Sequence, residues 1–135
     1  MDIAGIAREM ELEEDGAVMP VVQKNGAPYL GADGEPATFT IVGADSKRVQ
    51  AAERANTRKT INRGARSKIT PEALQEGRVT IASAAVISWT GWEDSEGVAW
   101  PCTPDNVRQL LAAAPWILRQ VEDGVSSHAD FFVEP

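Results

Sequence analysis

Two tripeptides, Thr70-Pro71-Glu72 and Thr103-Pro104-Asp105, do most to limit what this chain can fold into. Proline holds φ near the helical value and lacks the amide that a first helical turn leaves unbonded, so it suits the first position of a helix. The threonine before it can cap free amides, and an acid in the first turn meets the positive end of the helix dipole. Each tripeptide therefore starts a helix. Pro115 adds a third break, because it either kinks a helix or begins another. After Thr70, two adjacent apolar rows (Leu74, Ile81, Ala85 and Val79, Ala82, Val86) predict a central buried helix continuing to Trp89. After Thr103, Val107, Leu110 and Leu111 form an apolar face. After Pro115, Trp116, Ile117 and Val121 point inward, with Val125, Phe131 and Phe132 as a continuation.

The first half reads differently. Residues 3–14 carry a narrow stripe (Ile3, Ile6, Ala7, Met10) between acids, which fits a short helix or a tail that orders on binding. Between Ala17 and Gly43, "AVMPVVQ" is an extended run that Pro20 assigns to a sheet edge. Asn25-Gly26 favours a tight hairpin with positive φ at both positions, "GADGEP" is a second turn, and "ATFTIV" alternates as a strand. "GADSKRVQAAERANTRKTINRG" then predicts a polar helix capped by Asp45 or Ser46 and ended by Gly64, with a thin stripe of Val49, Ala52 and Ile61. The expected fold is α+β and mostly helical. An acidic N-terminal segment (1–16), a short helix or a flexible tail, precedes a single domain (17–135), in which a small antiparallel β element (17–43) leads into a helical body (44–135) of about four helices.

A chain of 135 residues can bury a core without staples. It has no apolar run near the length of a membrane span. Its N-terminus is acidic where a secretion signal would be basic, so a cytoplasmic location is expected. One cysteine excludes an intrachain disulfide. The net charge of −7 opposes general nucleic-acid binding. Residues 45–68 nevertheless hold eight Lys or Arg against two acids, while the remainder holds five against eighteen. The segment reads as a solvated helix face paired with the acidic remainder, or as a docking element for an acidic partner or a phosphate backbone, with Arg54 and Arg58 as its binding candidates.

Catalytic groups are scarce. His128 is the only histidine, and its neighbours Ser126 and Ser127 cannot face it from one helix. It reads as a partly exposed polar residue, and Cys102 as a small apolar one. One Cys and one His cannot make a zinc site. No phosphate-binding glycine pattern leads into a helix. The expectation is a protein that is not an enzyme, with no catalytic, cofactor or metal site.

All four tryptophans, Trp89, Trp92, Trp100 and Trp116, fall within one 28-residue window. Trp89 and Trp116 continue helix faces and are expected in the core. Trp92 and Trp100 flank a turn, which marks them as exposed anchors for a partner. The string "WTGWEDSEGVAWPCTPDNVRQLLAAAPWI", with "ADFF" after it and "TIVGADSKRVQAAERANTRKT" before it, resembles small tail assembly chaperones of long-tailed bacteriophages over about residues 39–132. The resemblance implies a non-enzymatic protein of the bacterial host cytoplasm. It would bind the tape measure protein, help recruit the major tail protein, and leave as the tail tube polymerises. Trp92, Trp100, Phe131, Phe132, Arg54 and Arg58 become candidate partner-binding residues; Trp89, Thr103, Pro104, Pro115 and Trp116 become structural ones. The resemblance also implies a longer form made by frameshifting near Asp130-Phe131-Phe132. Self-association is compatible with this reading, whereas membrane and nucleic-acid partners are not expected. The other reading is a structural tail component, a completion or connector subunit retained in the virion.

Overall fold

The computed structural model describes residues 2–62 and 70–128. Gly64, Phe131, Phe132 and the frameshift position at Asp130 lie outside the described residues. The fold is α+β. In chain order the elements are α1 (Ile3–Glu14), β1 (Ala17–Pro20), β2 (Thr38–Ile41), α2 (Lys47–Asn62), α3 (Pro71–Ala85), β3 (Val86–Thr90), α4 (Pro104–Ala113) and α5 (Pro115–Ser126). The strands form one antiparallel sheet in the order β1-β2-β3.

Both Thr-Pro starts form as expected. The Thr70 hydroxyl accepts from the Ala73 amide at 3.1 Å, and that of Thr103 from the Asn106 amide at 3.2 Å. Pro71 and Pro104 open α3 and α4. Pro115 opens a new helix, α5, without a side-chain cap. Ser46, fully buried, precedes α2 and accepts from the Val49 amide. Pro20 ends the edge strand β1.

The third strand corrects the reading of residues 70–89 as one helix. The backbone turns extended at Val86, and Val86-Ile87-Ser88-Trp89-Thr90 pairs with β2. Helical and strand periods agree over a short apolar run, so spacing alone could not separate them. The pairing steps from Thr40↔Ser88 to Ile41↔Val86, which leaves Ile87 as an extra residue. This bulge lets Val86 and Trp89, three apart, both face inward while Ile87 and Ser88 face solvent. The β element is thus not wholly N-terminal.

One core holds these elements together. Met19, Phe39, Ile41, Val86 and Trp89 from the sheet meet Val79, Ala82 and Ala85 of α3, Val107 and Leu111 of α4, and Ile117, Leu118 and Val121 of α5. Burying each large apolar side chain contributes about 1.5–3 kcal/mol relative to leaving it exposed. The other sheet face is solvated, with Val18, Thr38, Thr40, Ser88 and Thr90 on it. Leu74 and Ile61, expected inward, are 58% and 70% exposed. Ile61 sits on the last turn of α2, and Val49 is the one residue buried by that helix. His128 is buried rather than partly exposed, with its Nε2 2.7 Å from the Asp15 carbonyl oxygen.

Three hairpin turns share one construction. Gln23–Ala27, Gly31–Glu35 and Asp94–Val98 each close three residues, with the amide of the fourth residue bonded to the carbonyl of the first. Only the glycines among these turn residues (Gly26, Gly34, Gly97) have positive φ. A type I turn followed by one left-handed glycine matches strand twist. The Asn25-Gly26 turn therefore forms, but as a three-residue loop and not with both residues at positive φ.

Candidate interaction surface

The hairpin after β3 folds back onto the sheet and brings the aromatic residues into one string. Trp92 stacks on Phe39 at 5.2 Å between ring centroids, and Tyr29 lies 5.7 Å from Trp92. Trp89 is 6.1 Å from Phe39, 6.3 Å from Trp92 and 5.3 Å from Trp100. The Trp116 indole donates to the Tyr29 hydroxyl at 2.8 Å, and the Lys24 ammonium sits 4.6 Å above the Trp116 ring. The string thus runs Trp116, Tyr29, Trp92, Phe39, Trp89, Trp100. Offset and tilted geometries of this kind suit the ring quadrupoles.

Burial divides the four indoles differently from the sequence reading. Trp89 is buried, but on a strand rather than a helix. Trp92, Trp100 and Trp116 are all half-buried against the core, so Trp92 and Trp100 do not stand free and Trp116 is not interior. The cause is the apolar face of Phe39 and Trp89, which the returning hairpin covers. Three indole N–H groups are used internally. Trp89 donates to the Trp100 carbonyl at 2.7 Å, Trp92 to the Thr38 carbonyl at 3.2 Å, and Trp116 to Tyr29. The N–H of Trp100 donates to no described residue.

Around the string, the hairpins carry exposed Leu30 and Val98, 60% and 58% accessible. They also carry Asp33, Glu35, Glu93, Asp94 and Glu96. Glu93 ties two of these turns together by accepting from the Ala32 amide at 2.7 Å. Gly91, at φ +82°, lets the strands close: a Cβ there would lie 2.8 Å from the Ala37 Cα. The surface is therefore apolar at its centre and acidic along its turns.

Tyr29 and Gln120 complete this surface, and fully buried Phe39 supports it from beneath; none of the three is among the sequence candidates. Gln120 reaches from α5 to the strand extension beyond β1. Its oxygen accepts from the Val22 amide at 2.9 Å, and its nitrogen donates to the Val22 and Trp116 carbonyls at 2.7 and 3.2 Å. The lone Tyr between two turn clusters was the available signal for Tyr29. Nothing in the sequence spacing of Gln120 and Val22, 98 residues apart, pointed to their pairing.

Arg54 and Arg58 belong to a different surface. They are exposed on α2, which packs on α3, and neither forms an ion pair with a described residue. Cys102 is half-buried, and burial raises its thiol pKa despite the opposing charge of Arg48. No group of three or more His, Cys, Asp or Glu among the described residues is placed to hold a metal ion. Among the described residues, no helix is long and apolar enough to cross a membrane. Comparisons of the chain with protein-family models, with curated proteins and with solved structures each found no match.

Proposed function

We propose that this protein is a non-enzymatic tail assembly chaperone of a long-tailed bacteriophage. It acts in the cytoplasm of the bacterial host, binds the tape measure protein and assists assembly of the tail tube. The observation that carries this reading is the half-buried aromatic string, in which the Trp100 N–H has no acceptor among the described residues. It supports a binding role because indoles at a surface supply large contact area at small entropic cost and are frequent energetic centres of interfaces. An amphipathic helix would lay its i, i+3, i+4 and i+7 side chains over Trp92, Trp100 and the flanking Leu30 and Val98. The carboxylates on the turns favour a helix with basic flanks and speed its encounter. The ordered string of motifs, from Gly43-Ala44-Asp45-Ser46 through Pro115-Trp116, supports the assignment of that helix to a tape measure protein.

Half-buried anchors suit a chaperone that must let go. Much of each ring is already covered by its own fold, so the partner gains only the remaining apolar area. Recruitment of the major tail protein would use a surface other than the aromatic string. The reading is tested by co-expressing a helical tape measure segment with the wild-type chain or with Trp100→Ala. The wild type keeps the segment soluble and co-purifies with it; the variant does so to a lesser extent. Equal recovery with both would refute the role of the string. Mass spectrometry of mature particles separates the chaperone from a completion or connector subunit. Stoichiometric presence in the virion would overturn the chaperone reading.

A further inference from the structure

No residue of helix α1 is buried. Its stripe of Ile3, Ile6 and Met10 is 85%, 46% and 47% exposed. The stripe is flanked by Glu9 and Glu11, and α1 carries four acids against one base. Helix α2 has the opposite character. It carries five bases against one acid. With Val49 turned into the core, helical geometry puts Lys47, Ala51, Arg54, Arg58 and Ile61 along its solvent side. Within one chain the two helices meet end to end. Glu13 accepts from the Asp45 amide at 3.2 Å and Glu14 from the Lys47 amide at 2.6 Å, at the start of α2. The apolar stripe of α1 and the side of α2 turned away from α3 remain exposed.

We infer that α1 of one copy docks along the basic face of α2 of a second copy, so that the protein self-associates head to tail. Charge selects this pairing. Two α1 helices would set acids against acids, and two α2 helices bases against bases. An α1–α2 pair sets Glu9 and Glu11 against Arg54 and Arg58 and places the Ile3–Ile6–Met10 stripe beside Ala51 and Ile61. The lengths agree: α1 is about 18 Å long, and the stretch from Lys47 to Ile61 about 21 Å. Used one way, head to tail, the contact is heterologous and builds rings or open chains; a reciprocal exchange between two copies would instead close as a two-fold dimer. It uses neither the aromatic string nor its partner and stands independently of the proposed function.

The test is sedimentation velocity on the full chain over a concentration series, with circular dichroism confirming that each variant folds. The wild type should rise beyond the dimer mass at about 0.05 M salt. It should fall towards the monomer near about 0.5 M, where the screening length drops to roughly 4 Å. Glu9→Lys/Glu11→Lys and Arg54→Glu/Arg58→Glu should each remain monomeric. An equimolar mixture of the two restores opposite charges at both junctions and should associate again. A wild type that stays monomeric throughout, or that stops at a dimer, would overturn the inference. So would reversed variants that associate as the wild type does, or a mixture of folded variants that stays monomeric.

Discussion

Replacing Gln120 with alanine should loosen the hairpin that supports the aromatic string. The side chain gives the Val22 amide and carbonyl their partners, at 2.9 and 2.7 Å, in a half-buried site, and also bonds the Trp116 carbonyl. Each such bond contributes about 0.5–1.5 kcal/mol net, and a backbone group left dry costs more. Two lost bonds to Val22 therefore predict a destabilisation of about 2 kcal/mol. At this chain length that lowers the thermal midpoint by about 6–10 °C. Gln120→Glu keeps an acceptor for the Val22 amide but loses the donor, so it should fall between wild type and Gln120→Ala. Thermal unfolding by circular dichroism gives the global loss, and amide hydrogen exchange at Val22 gives the local one. Unchanged Val22 protection in Gln120→Ala, with an unchanged midpoint, would refute the pinning of the hairpin by α5.

Other positions give sharper contrasts. Gly91→Ala should destabilise by about 3–5 kcal/mol, because positive φ and a backbone collision with Ala37 add. Gly26→Ala, with positive φ but open space, should cost about 1 kcal/mol in the same chemical denaturation assay. Ser83 has a buried hydroxyl with no partner among the described residues, so Ser83→Ala should be neutral or stabilising by up to about 1 kcal/mol in urea titration. The Cys102 thiol has its pKa raised by burial, so the folded state holds the proton longer than the unfolded one. Stability should fall as pH rises from the ordinary thiol range towards the raised folded value, and Cys102→Ala should remove that component from the pH profile.

Local signals carried most of the helical architecture. Thr70-Pro71 and Thr103-Pro104 act through chemistry contained in three residues, and their helices start where that chemistry puts them. What escaped depends on distant partners. Val86 to Thr90 becomes a strand because β2 offers it an edge, and the bulge at Ile87 then reverses which residues face inward. The aromatic window was visible as a cluster, but not its geometry. Trp92 is covered by Phe39, which lies 53 positions earlier, and Trp116 is held by Tyr29. Exposure of Trp92 and Trp100 was inferred from the turn between them, yet a turn can also fold its flanks back onto a sheet. His128, in sequence a partly exposed polar residue, is buried where Asp15, from near the other end of the chain, approaches it.

The central claim is that the aromatic string receives an amphipathic helix of a tape measure protein. The four indole N–H groups give four resolved signals in a nitrogen-proton correlation spectrum, and titration with tape measure fragments reads each one separately. The account predicts a large shift for Trp100, whose N–H has no described partner, a smaller one for Trp92, and almost none for buried Trp89. Four unmoved signals at saturating fragment, or movement confined to Trp89, would contradict it.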